Sequence, residues 1–105
     1  MVIEVNKDNF DEVVKKEEKL VLIDFWGPKC EQCLALMPEV EKLEQKYADK
    51  VKFCKLDASQ NRRLCISLKV LGLPTFQLYK NGEKVDEISK DVTVEKIEEM
   101  IKKHI

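Results

Sequence analysis

The stretch Leu20-Val21-Leu22-Ile23-Asp24-Phe25-Trp26-Gly27-Pro28-Lys29-Cys30-Glu31-Gln32-Cys33 decides the fold. Residues 20–26 are apolar at both alternating sets of positions, Asp24 excepted. Such a strand belongs in the middle of a sheet covered on both sides. Gly27 and Pro28 break it. Beyond the break, apolar positions fall at Cys33, Leu36, Met37, Val40, Leu43 and Tyr47. Steps of three and four trace one face of a long helix. Pro38 lies inside that helix without an amide to donate, so a kink is expected there.

The flanking chain extends the alternation. Residues 2–5 read as a short first strand, and Asn6 and Asp8 are placed to cap a helix carrying Phe10, Val13 and Val14. Residues 51–58 form the next strand, and 61–69 a short helix with less regular apolar spacing. Gly72 and Pro74 interrupt the chain before a strand over 75–79. Asn81-Gly82 is a hairpin turn signal, and 84–89 returns antiparallel. Thr93 can cap a last helix with Val94, Ile97 and Ile101 on its buried face. The order is β-α-β-α-β-α-β-β-α. It predicts an α/β fold in one domain over 1–105, with a central mixed sheet and helices on both faces.

The 105 residues suffice for one core. Nineteen basic against twenty acidic residues leave no basic excess, which argues against a nucleic-acid partner. The opening residues 1–7 lack an apolar signal core, and the apolar run 20–23 stops at Asp24, far short of a membrane span. A soluble, cytoplasmic, monomeric protein is expected. Its four cysteines, 30, 33, 54 and 65, could form a secreted framework. The regular alternation of elements favours a reducing compartment, where a Cys-x-x-Cys pair is catalytic or metal-binding.

Cys30 and Cys33 fall where the central strand hands over to the long helix. Three residues apart, they share a helical face and can close a disulfide. Cys30 occupies the helix N-terminus, where free amides and the macrodipole favour a thiolate. Cys33 lies one turn deeper and is expected to be shielded. A zinc site is the alternative. Cys54 and Cys65 are eleven positions apart and His104 is the only histidine, so spacing favours redox chemistry with no metal and no bound cofactor. Cys54 reads as a buried small hydrophobe. For Cys65 a partly exposed, regulatory thiol and a packing role are both open, with packing preferred.

Asp24-Phe25-Trp26, Pro38 five residues after Cys33, Leu73-Pro74-Thr75 and Lys80-Asn81-Gly82 together resemble thioredoxin along essentially the full chain. The resemblance implies the thioredoxin fold and a protein-disulfide reductase, an electron carrier cycling through a Cys30–Cys33 disulfide. It implies a cis bond at Pro74, with the Leu73 backbone beside the sulfurs for an extended substrate. Asp24 would sit beneath Cys33 and move its proton, with Lys55 as partner. A raised Asp24 pKa is expected, from desolvation offset in part by Lys55. Trp26 would pack under the cysteine loop, its indole N–H seeking a polar partner. Trp26, Lys29, Leu73, Pro74, Thr75 and Lys90 are the substrate-binding candidates. Disulfide-containing proteins are the implied substrates, with a flavin-containing thioredoxin reductase as electron donor.

The pair itself departs from the family. Lys29 stands where an aromatic usually precedes the first cysteine, and Glu31-Gln32 replaces Gly-Pro. Lys29 favours a Cys30 thiolate and Glu31 opposes it. Gln32 differs from the histidine of strong oxidants in the superfamily, which favours a reductase over an oxidase or isomerase. Cys-Glu-Gln-Cys also does not match a glutaredoxin's usual Cys-Pro-Tyr-Cys. Lys90 replaces a usual glycine and adds bulk and charge at the docking surface. A non-enzymatic binding module remains the rival outside catalysis.

Overall fold

The computed structural model describes all 105 residues. Five strands, β1 (Ile3–Glu4), β2 (Leu20–Trp26), β3 (Val51–Asp57), β4 (Thr75–Lys80) and β5 (Glu83–Ser89), form one mixed sheet in the order β1-β3-β2-β4-β5. β3 runs parallel to β1 and β2, whereas β4 is antiparallel to β2 and to β5. The doubly apolar segment thus lies between two partners, as its composition requires.

Side chains alternate across β2, so adjacent residues enter different cores. Leu20 and Leu22 pack with Val40, Leu43 and Tyr47 of α1 (Glu31–Tyr47) and with Ile97, Met100 and Ile101 of α3 (Val94–Lys102). Val21, Ile23 and Phe25 pack with Phe10, Val14 and Cys65 on the opposite face. Cys65 belongs to α2 (Arg62–Ser67). Each fully buried Leu, Ile or Phe contributes about 1.5–3 kcal/mol of transfer free energy. Asp24 has the parity of Leu20 and Leu22, so it enters the face covered by α1.

Local details depart from the sequence reading in two places, the first helix and its cap. The first helix is a π-helical turn over Asp11–Lys15, in which the Lys16 amide donates to the Asp11 carbonyl five residues back. Asn6 alone caps this region, its Oδ1 accepting from the Asp8 and Asn9 amides. α1 runs unbroken through Pro38. The missing amide orphans the Leu34 carbonyl. Leu34 is 44% exposed, so water can serve that carbonyl at little cost. Thr93 caps α3 as expected, accepting from the Lys96 amide at 3.2 Å.

The β4–β5 turn places Asn81 at φ 53° and Gly82 at φ 82°. Two left-handed residues in succession make the turn whose twist matches a hairpin. A Cβ on Gly82 would also stand 3.1 Å from the Lys15 carbonyl oxygen. Gly82→Ala is therefore expected to cost about 1–2 kcal/mol, from left-handed strain and this contact. Urea denaturation checks it; an unchanged midpoint would refute the assignment of that turn.

Candidate functional site

The two cysteines form a disulfide at the start of α1, with Cα atoms 5.2 Å apart. Cys30 is the N-cap, and its sulfur accepts from the Cys33 amide at 3.2 Å. Its own amide donates to the Gly27 carbonyl at 3.1 Å, closing the turn 27–30. Cys30 is half-buried, whereas Cys33 is only 1% exposed. The sequence thus builds an asymmetric pair. One sulfur meets solvent where helix amides favour negative charge, and the other is sealed one turn below.

Leu73–Pro74 is a cis peptide bond. Pro74 is buried and Leu73 half-buried. Gly27 lies close against this loop, since a Cβ there would stand 3.2 Å from Leu73 Cδ1. Thr75 is buried, and its hydroxyl donates to the Gly72 carbonyl, so this side chain braces the loop. Two hollows flank Leu73. One is lined by Pro28, Lys29, Cys30, Ser59 and Arg62, the other by Lys69, Leu71, Thr75, Glu87 and Lys90. Lys29, Cys30, Leu73, Thr75 and Lys90 thus come together on one face.

Asp24 is 2% exposed and its Oδ1 has no hydrogen-bond partner. Burial drives its carboxyl pKa up to about 7, and the charge of Lys55 offsets part of that rise. Lys55 is its register partner on β3 and is half-buried. Both line a narrow cavity of about 20 Å³ with Val2, Met37, Val40 and Glu41. That is room for about one water molecule.

Trp26 is half-buried beyond Asp24. Its indole N–H is buried and no protein group accepts from it. Cys54 is buried, with desolvation pushing its thiol pKa up to about 12. Cys65 is also buried, which removes the partial exposure left open by the sequence; desolvation likewise raises its pKa. Thiols held neutral in this way are inert, and packing is their role.

Among the lining residues, Ser59, Arg62, Lys69, Leu71 and Glu87 escaped the sequence reading. The doubled Arg62-Arg63 was the one cue, and it resembles any solvated helix face. Lys69 is marked only by its backbone, at φ 62°.

The thioredoxin family model matches residues 1–103. A thioredoxin of Acetoanaerobium sticklandii is 47% identical over 105 residues, covering 99% of this chain and all of that one. A thioredoxin of Peptoclostridium acidaminophilum is 49% identical over all of this chain and 96% of its own length. The thioredoxin of Staphylococcus haemolyticus is 33% identical over 99% of this chain. Full-length similarity and a closed Cys-x-x-Cys disulfide establish thiol–disulfide oxidoreductase chemistry and protein-disulfide reduction. With its mixed five-stranded sheet and its cysteine pair at the head of α1, the chain belongs to the thioredoxin family.

Proposed function

We propose that Cys30 is the attacking and Cys33 the resolving sulfur of a protein-disulfide reductase. The contrast in exposure between the two carries this reading: half-buried Cys30 against Cys33 at 1%. In the reduced protein the Cys30 thiolate attacks one sulfur of a substrate disulfide. A mixed disulfide forms and the other substrate sulfur leaves as a thiolate. Cys33 then gives up its proton and attacks Cys30 Sγ. The Cys30–Cys33 bond forms, the mixed disulfide breaks, and the substrate leaves reduced by two electrons.

Asp24 takes the proton from Cys33. A carboxyl titrating near 7 is matched to that task at neutral pH. Lys55, across the narrow cavity, holds the carboxylate form in reach. Leu73 offers its backbone to an extended substrate segment, Pro74 and Thr75 fix that loop, and Trp26 supports the turn under Cys30. Lys29 and Lys90 border the docking face. A flavin-containing thioredoxin reductase restores the two electrons. The chain works as a cytoplasmic monomer, without a nucleic-acid or membrane partner. No helix is long and apolar enough to cross a membrane.

Alkylation of the reduced protein tests the assignment. At neutral pH a small iodoacetamide pulse is expected to label Cys30 and spare Cys33, Cys54 and Cys65. Mass spectrometry of peptides reads the sites. Equal labelling of Cys30 and Cys33 would overturn the division of roles.

A further inference from the structure

The chain as a whole is balanced, with nineteen basic and twenty acidic residues. The docking face is not. The two hollows on either side of Leu73 carry four cations, Lys29 and Arg62 in one, Lys69 and Lys90 in the other. Their single acid is Glu87, which is already paired with Lys84 at 3.3 Å. All four cations are exposed, and none forms a salt bridge within the chain. Three further acids border the hollows without lining them: Glu31 in the first turn of α1, Asp57, whose Oδ1 accepts from Ser59, and Asp91 beside Lys90.

The backbone adds a second observation. Lys69 and Lys90 both adopt left-handed conformations, at φ 62° and 61°. Glycine takes this conformation freely, and lysine does so only against strain. Two of the chain's three non-glycine residues at positive φ are thus lysines lining one hollow beside the cis loop. Lys69 owes its conformation to the end of α2, where the Val70 amide donates to the Cys65 carbonyl, so Lys90 is the one of the two held there without a helix end. Between these lysines, Leu71 is 96% exposed and offers an apolar contact.

We propose that this face selects protein disulfides whose reacting cysteine is flanked on both sides by acidic residues. The proposal rests on the reading of Cys30 as the attacking sulfur. A segment laid along Leu73 passes both hollows, so acids on either side of its cysteine meet Lys29 and Arg62 at one end and Lys69 and Lys90 at the other. A small disulfide reaches only one hollow, which is why a peptide segment fits better. Charge complementarity of this sort acts on encounter and register more than on the chemical step.

Three disulfide peptides, identical except for Asp, Asn or Lys beside the cystine, test this in dithiol-driven turnover. At low salt, kcat/KM for the acidic peptide is expected to exceed that for the basic one by about tenfold, collapsing towards unity at about 0.5 M salt. Lys69→Gln with Lys90→Gln, and separately Lys29→Gln with Arg62→Gln, should each reduce the ratio about threefold. Glu31→Gln should raise it. Equal rates for acidic and basic peptides overturn the charge proposal while turnover itself continues. A preference confined to a small dicarboxylate disulfide also overturns it. Failure to reduce any of the three peptides overturns both this proposal and the catalytic assignment beneath it.

Discussion

Cys33→Ser is expected to stop the cycle at the mixed disulfide. Cys30 keeps its place at the N-cap and still attacks a substrate disulfide. The resolving attack is then missing. In the native pair it is intramolecular, between residues whose Cα atoms lie 5.2 Å apart. Well-oriented reactions of that kind have effective concentrations on the order of 10⁵ M or more. Millimolar external dithiol cannot replace it, and a serine hydroxyl does not attack a disulfide at neutral pH. Turnover should fall by about 10³-fold or more, with one substrate thiol held on Cys30 per chain. Non-reducing electrophoresis and intact-mass measurement read the adduct. Cys30→Ser should form no adduct and leave only the rate of the dithiol itself. Adducts on Cys33 in that variant would reverse the two roles.

Asp24→Asn is expected to stabilise the oxidised protein strongly at high pH. The folded carboxyl titrates near 7, against 3.8 for a free one. Between those values the folded chain holds a proton that the unfolded chain has released. Stability therefore falls as pH rises through the window, by about 1.4 kcal/mol per unit, and levels off above it. The accumulated cost at pH 9 is about 4 kcal/mol. Asparagine never ionises, although its buried amide leaves donors unmet at a cost of about 1 kcal/mol. Urea denaturation should show similar stabilities near pH 4 and a gap of about 3 kcal/mol at pH 9. Parallel pH profiles would refute the buried titration. The same variant should slow release of the mixed disulfide by about 10–100-fold near pH 7, towards the lower end of general-base contributions. Stability and rate thus move in opposite directions, as expected where a buried charge is kept for chemistry.

Much of this was legible because its signals are local. The doubly apolar 20–26 segment could only be a central strand, and the 33–47 periodicity only a helix face. Asn81-Gly82 names its own turn. Asp24 announced itself as one acid in an apolar run, and burial gave it the raised pKa expected of it. What escaped depends on backbone and on long-range placement. Nothing in the letters shows that Lys69 stands at φ 62°, or that Arg62 joins Lys29 in one hollow. The π-turn over 11–15 has the same apolar spacing as an ordinary helix.

The proposed docking face is assembled from four separate pieces of chain, 27–30, 58–62, 69–75 and 87–90. None touches a substrate usefully alone, and only the sheet holds them in common. The cysteines arrive on the parallel half of the sheet, whereas the wall around Leu73 leads into β4, which joins β2 from the other side. A chain cut between α2 and β4 would lose Phe76, Leu78, Ile97, Met100 and Ile101 from the core that β2 and α1 share, and with them the frame under the cysteine pair. The cysteine pair and the wall it faces are therefore held in common only through β2, which pairs with β3 on one side and β4 on the other.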